Sequence, residues 1–198
     1  MESGYYKDIV NNFDKWDKQR IKDHYLLTDN GDTGTIFKWM YDSVLKDSKS
    51  IIDMGCGNGL FALSYALNND CRVSAIDGSR IFIKLARDLQ ERNNISNVYF
   101  EQSLSEELTG ICKYVKTPFD AAFSQHSLEH FTCPGKALRE QKGVAKVVCG
   151  ILPSGMANDN PEHLWHWNIG DFIAFLTDIF KKFEVKVRGD LIGYIIWE

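Results

Sequence analysis

No stretch of the sequence approaches the ~18 consecutive apolar residues of a membrane span, so no membrane partner is expected. The opening MESGYYKDIV has neither the basic n-region nor the apolar h-region of a secretory signal, which sets the expectation of a cytoplasmic protein. Cysteine is sparse and unpatterned: Cys56, Cys71, Cys112, Cys133 and Cys149 are odd in number and form no C-x-x-C, arguing against a disulfide framework and a zinc ribbon. Basic residues do not predominate either. A formal net charge of -4 offers no standing attraction to nucleic acid, and none is expected as a partner. What is present is ordinary: 44% hydrophobic and 25% charged residues exclude disorder, and 198 residues suit one domain with a real core.

The most informative stretch runs from Ile51 to Phe61, where an apolar run breaks into alternate glycines and then into a helical pattern. A buried parallel strand turns in this way beneath a nucleotide-like ligand, because glycine lets the backbone approach closely. A second apolar run ends at Asp77, whose carboxylate can accept ribose hydroxyls from a neighbouring strand end. The spacing separates two kinds of ligand. A dinucleotide site reads G-x-G-x-x-G, but the glycines here are Gly55, Gly57 and Gly59, and Leu60 holds the position that pattern reserves for glycine. Asp53 would also set a negative charge against a pyrophosphate, so a ligand with a cationic or zwitterionic tail is favoured.

Asp53, the glycine trio and Asp77 together resemble motif I of the class I S-adenosylmethionine-dependent methyltransferases. That resemblance implies S-adenosyl-L-methionine as cofactor, with Asp53 near its amino-acid moiety, the glycines against the adenosyl group and Asp77 on the ribose. It extends the expected cofactor contacts to Cys56, Gly78, Ser79, Ser103, Leu104, Ser124 and Gln125. Leu104 stands where the family commonly has an acid facing adenine, so the base would be read by backbone amides, with Ser103 or Gln102 assisting and Leu104 packing on the ring.

The rest of the chain supplies alternating strands and helices. Residues 1–32 mix aromatics with charges, and Ile9, Phe13 and Trp16 keep helical spacing, suggesting one or two short helices across the later domain. The resemblance implies that this segment is a lid or cap over the cofactor; an ordinary docking helix is the plainer reading. An amphipathic helix begins near Thr33, and strands are expected at 50–54, 72–76, 98–101, from 119 onward and at 144–152. Helices are expected from Leu60, from Arg80 after a Ser79 cap, over 134–141, and after an Asn168 cap. The chain closes with strands at 183–188 and 193–198 joined by Gly189-Asp190. The resemblance covers residues 33–198 and implies an α/β fold: a seven-stranded, mostly parallel doubly wound sheet with an antiparallel C-terminal strand.

The stretch Phe119 to Phe131 resembles motif IV of the small-molecule branch of the same family, which places its strand end before the transferable methyl. His126-Ser127-Leu128-Glu129-His130 also satisfies the H-x-x-E-H pattern of a zinc peptidase class, but that pattern needs a long helix and a third ligand. No metal is therefore expected. His126 is the expected acceptor-side base, since an imidazole takes protons near neutral pH, while His130 reads as structural. The segment His163-Leu164-Trp165-His166-Trp167 concentrates costly side chains in one loop. It resembles the His- and Trp-containing segment of methyltransferases acting on sugars and related metabolites, with His166 or His163 as a second base and tryptophan faces stacking on the acceptor. A tryptophan cluster sealing the core is the plainer reading.

The expected function is transfer of a methyl group to oxygen or nitrogen of a small-molecule acceptor. A catalytically silent cofactor-binding subunit and an NAD(P)-binding protein are the alternatives. An RNA or protein acceptor is disfavoured by the charge and by the lack of an Asn-Pro-Pro-Tyr-like tetrad. Oligomeric state is left open.

Overall fold

The computed structural model describes residues 15–108, 118–155 and 160–197. Tyr5, Tyr6, Ile9 and Phe13 of the expected lid, the connection around Cys112, Lys113 and Lys116, and Asn158-Asp159 fall outside the described residues. Helix α1 (Lys18–Asp23) starts from Asp17, whose carboxylate accepts from Arg20 N–H, and it buries Ile21. Helix α2 (Asp32–Met40) precedes strand β1 (Ser50–Met54). The units β1, α3 (Leu60–Asn68), β2 (Arg72–Asp77), α4 (Arg80–Arg92) and β3 (Val98–Gln102) then follow. After β4 (Phe119–Gln125) come α5 (Pro134–Val144), β5 (Ala145–Pro153), α6 (Ile169–Thr177), β6 (Phe183–Arg188) and β7 (Leu191–Ile196).

The seven strands form one sheet in the order β3-β2-β1-β4-β5-β7-β6. Strands β1 to β5 pair in parallel, whereas β7 lies antiparallel between β5 and β6. This is the expected α/β architecture. Alternation along the central strands feeds two cores: Ile51 and Phe123 face Phe37, Leu63 and Ile83 on one side, while Ile52 and Ala122 face Leu138, Phe172 and Leu176 on the other. The order of the strands reverses between β1 and β4, and a crevice opens outside strand carboxyl ends at such a switch point.

Several boundaries shift by a residue or more from the sequence expectation, and two of the larger shifts have a visible cause. Helix α5 runs through Lys142-Gly143 to Val144 because Gln141 and Val144 extend the buried stripe of Ala137 and Leu138. Strand β7 starts at Leu191, since a two-residue turn with Gly189 at φ +53° pairs Arg188 directly with Leu191. No helix among the described residues is long and apolar enough to cross a membrane.

Candidate active site

Beyond Met54 the chain leaves the sheet through Gly55, Gly57 and Gly59, at φ +75°, +53° and +76°, conformations that cost glycine alone nothing. Their surroundings differ. A Cβ on Gly55 would lie 2.6 Å from Ser127 Oγ, so this glycine makes room for the loop after β4. A Cβ on Gly59 would lie 2.7 Å from the Phe100 ring and 2.8 Å from Ala86 Cβ, so this one lets α3 pack on β3 and α4. Gly57 has nothing within 4 Å and opens onto the crevice.

The crevice measures about 1350 Å³, and Asp53, Cys56, Gly57, Asp77, Gly78, Ser79, Ser103 and Leu104 line one wall. Asp77 is held by two amides: Gly57 N–H donates to Oδ2 (2.9 Å) and Ser79 N–H to Oδ1 (2.7 Å). Burial raises its pKa, while those amides and the nearby His130 pull it down. Asp53 has no such support. The residue is 3% exposed, and its Oδ2 has no hydrogen-bond partner among the described residues. Burial, and then the charge of Asp77, raises its pKa to about 8.

The opposite wall begins where β4 ends. His126 takes φ +48°, a left-handed conformation that strains a non-glycine residue, and its N–H donates to Ile151 O (2.8 Å). Glu129 follows in a short 3-10 turn, 1% exposed, with neither carboxylate oxygen hydrogen-bonded among the described residues. His126 Nδ1 stands 3.7 Å and His163 Nε2 4.0 Å from Glu129 Oε1. His130 Nδ1 donates to Glu162 O at 2.9 Å, and its ring meets His163 edge-on at 4.8 Å. Burial lowers the His163 pKa, with Glu129 partly opposing. The downstream loop is fastened here, because Leu164 N–H and Trp165 N–H both donate to Glu129 O (2.9 and 3.1 Å).

Residues 45–168 match a protein family described as a methyltransferase domain. The chain belongs to the class I S-adenosylmethionine-dependent methyltransferases. It is 26% identical over 167 residues to human EEF1A lysine methyltransferase 2, covering 76% of this chain and 67% of that protein. It is 28% identical over 150 residues to a ubiquinone biosynthesis O-methyltransferase of Neisseria meningitidis serogroup A, covering 71% of this chain and 59% of that one. The chain therefore spans about three fifths to two thirds of the length of these two relatives. The crystal structure of a SAM-dependent methyltransferase from Aquifex aeolicus superposes with a TM-score of 0.64 at 21% identity, over 91% of this chain and 98% of that one.

The crevice of this methyltransferase fits its cofactor. Gly57 offers backbone without a Cβ, Asp77 keeps lone pairs free beyond its two amide bonds, and the unpartnered Asp53 carboxylate calls for a cation. Cofactor bound there carries its methyl on a positively charged sulfur. Leu104 is 52% exposed in the crevice wall and leaves an apolar surface free for a base. Gln102 is spent on Gly78 O (3.2 Å).

Four expectations need correction. Gly59 serves packing rather than the crevice. The Ser124 side chain, expected at the cofactor, is turned inward by strand alternation, where its Oγ shares a 2.9 Å hydrogen bond with Tyr194 Oη, and of the two only Gln125 lines the crevice. His166 is exposed, stands outside the crevice lining and has its ring 6.0 Å from that of His163. The tryptophans do not line the crevice either: Trp167 packs on Phe172 and Phe175, and Trp165 stacks on Trp167 while its Nε1–H donates to Phe131 O (2.9 Å). Sequence reasoning missed Glu129, Ile81 and Phe82 as crevice residues. Periodicity puts Ile81 and Phe82 on the apolar face of α4, but Ile81 is exposed and Phe82 half-buried, while Ile83, Ala86 and Leu89 carry the buried stripe.

Proposed function

We propose that the protein transfers the methyl group of S-adenosylmethionine to an oxygen or nitrogen of a small-molecule acceptor, with His126 receiving the acceptor's proton. The observation that carries this reading is the placement of His126, beside buried Glu129, in the same crevice as the unpartnered Asp53. A volume of about 1350 Å³ exceeds the ~300–1,000 Å³ of a typical ligand pocket, leaving room for a second molecule beside the cofactor. In this reading Asp53 holds the cationic tail, Gly57 and Asp77 hold the nucleoside, and Leu104 packs on its base. Rate comes from aligning acceptor and methyl and from excluding water. Residues 15–32 serve as part of a lid, with His24 at the crevice edge. Free thiols at Cys56, Cys71, Cys133 and Cys149 suit a reducing, cytoplasmic setting.

A protein lysine is the second reading. The similarity to a lysine methyltransferase supports it, and Glu106, Glu129 and Glu162 in the crevice wall would receive an ammonium group. The test is calorimetric titration with S-adenosylmethionine, followed by product formation against panels of hydroxylated metabolites and of lysine-containing proteins. Methylated metabolite with unmodified protein is the expected result, and the reverse would select lysine. Cofactor binding with no product from either panel would leave a silent subunit, and saturable NAD(P) binding in its place would overturn the reading.

A further inference from the structure

We propose that Glu129, His130 and His163 form a binding site for a divalent transition-metal ion of the zinc class, with one coordination position open to the crevice. One ligand atom from each of the three lies within 4.8 Å of the others. Two imidazoles and one carboxylate with a free position make up a ligand set of catalytic zinc sites, and imidazole selects such ions over magnesium or calcium. The sequence expectation of no metal rested on the need of the H-x-x-E-H pattern for a long helix and a third ligand beside His126 and His130. The group formed here is a different one, in which Glu129 takes the place of His126 and His163 comes from the loop that docks on Glu129.

The strongest observation is the state of Glu129. A carboxylate that is 1% exposed with neither oxygen hydrogen-bonded among the described residues is costly to bury unless a cation faces it. The neighbouring imidazoles do not meet that need by hydrogen bonding, since 3.7 and 4.0 Å exceed hydrogen-bond range. Of the two, only His163 joins Glu129 and His130 in the group whose ligand atoms lie within 4.8 Å of one another, so an ion held there would face Glu129.

The second observation concerns His130. A carbonyl oxygen only accepts, so the 2.9 Å contact with Glu162 O fixes the proton on Nδ1 and leaves Nε2 as the lone-pair nitrogen. Metal-binding histidines are usually oriented by such a bond through their other nitrogen. The His163 side chain is only 6% exposed, so it pays little further ordering entropy to become a ligand.

All three residues line the crevice, and so does His126. An ion there would take an acceptor hydroxyl at its open position. The O–H bond breaks, its electron pair stays on the metal-bound oxygen and the proton passes to His126. This catalytic role rests on the methyl-transfer reading; the binding site does not.

The test uses the chelator-treated protein in a Cys133→Ser background, which removes the one exposed thiol among the described residues as a competing ligand. Zinc chloride is titrated calorimetrically, cobalt chloride is followed by its visible absorption, and S-adenosylhomocysteine is titrated on the same samples. We expect one equivalent of zinc, and a tetrahedral cobalt spectrum. Glu129→Gln and His163→Ala should each weaken zinc at least as much as the ~10–100-fold caused by losing outer-sphere partners, with melting temperatures checked in parallel. No saturable binding by the parent protein, or unchanged affinity in both variants, overturns the site. Metal failing while S-adenosylhomocysteine binds removes the site alone, whereas the converse removes the methyl-transfer reading and leaves the metal.

Discussion

On the β1–β2 side of the crevice, the inward-facing carboxylate of Asp77 is tied to Gly57 and Ser79, members of the same motif or of the turn beside it. On the β4 side, Glu129, His130 and His163 are brought together by a loop whose anchor, Glu162 O, lies 32 residues beyond His130. The first wall is a local device carried on two adjacent parallel strands. The second exists only once a distant loop has docked. The difference teaches that the geometry of the first wall is built into the strand ends, while that of the second depends on a long-range contact.

Variants can break this comparison. His126→Ala should lower kcat by about 10²–10⁴-fold, the usual worth of a positioned acid or base, with cofactor affinity unchanged. Equal losses in both would move His126 into the cofactor wall. Gly59→Ala should destabilise by about 2–4 kcal/mol in chemical denaturation, combining left-handed strain with overpacking against Phe100 and Ala86. Gly57→Ala, with open space around it, should instead spare stability and weaken cofactor binding. If the two glycine variants behave alike, the division of roles among the glycines fails.

Asp77→Ala should cost about 1.5–3 kcal/mol of cofactor affinity through lost charged hydrogen bonds, and also lower Tm by freeing the two amides it holds. An unchanged titration would remove Asp77 from the site.

Asp53 sharpens the contrast through pH. Its folded pKa is raised to about 8, above the ~3.9 of an unfolded aspartate, so its contribution to stability is fully present at low pH and declines as pH rises through that interval. A cationic ligand needs the ionised form. S-adenosylmethionine affinity should therefore climb with pH, by up to about tenfold per unit, until it flattens near pH 8. Asp53→Asn should flatten the profile and raise the Tm of the ligand-free protein at neutral pH; a wild-type profile that is already flat would show that Asp53 does not face the cation. The smallest effect is expected at His166. Exposed and outside the crevice lining, its replacement by alanine should change stability by less than about 0.5 kcal/mol and leave turnover unaltered.

The strand-helix alternation, the turn between Asp53 and Leu60, and the strand end at Asp77 were legible in the sequence because their contacts are local or run between neighbouring parallel strands. Periodicity and glycine spacing report such contacts directly. The sequence by itself thus determined the strand-helix alternation and the cofactor motif, and through the resemblance a mostly parallel sheet with an antiparallel C-terminal strand. It could not say which glycine faces the ligand, because Phe100 and Ala86 reach Gly59 from other elements. Nor could it show that Ser124 turns toward Tyr194, 70 positions away. Only the tertiary structure decided that Glu129 is buried without a hydrogen bond and that His163, not His166, stands beside it. The physical reason is that loop docking is set by long-range backbone bonds, such as those from Leu164 and Trp165 to Glu129, which leave no periodic trace in the chain.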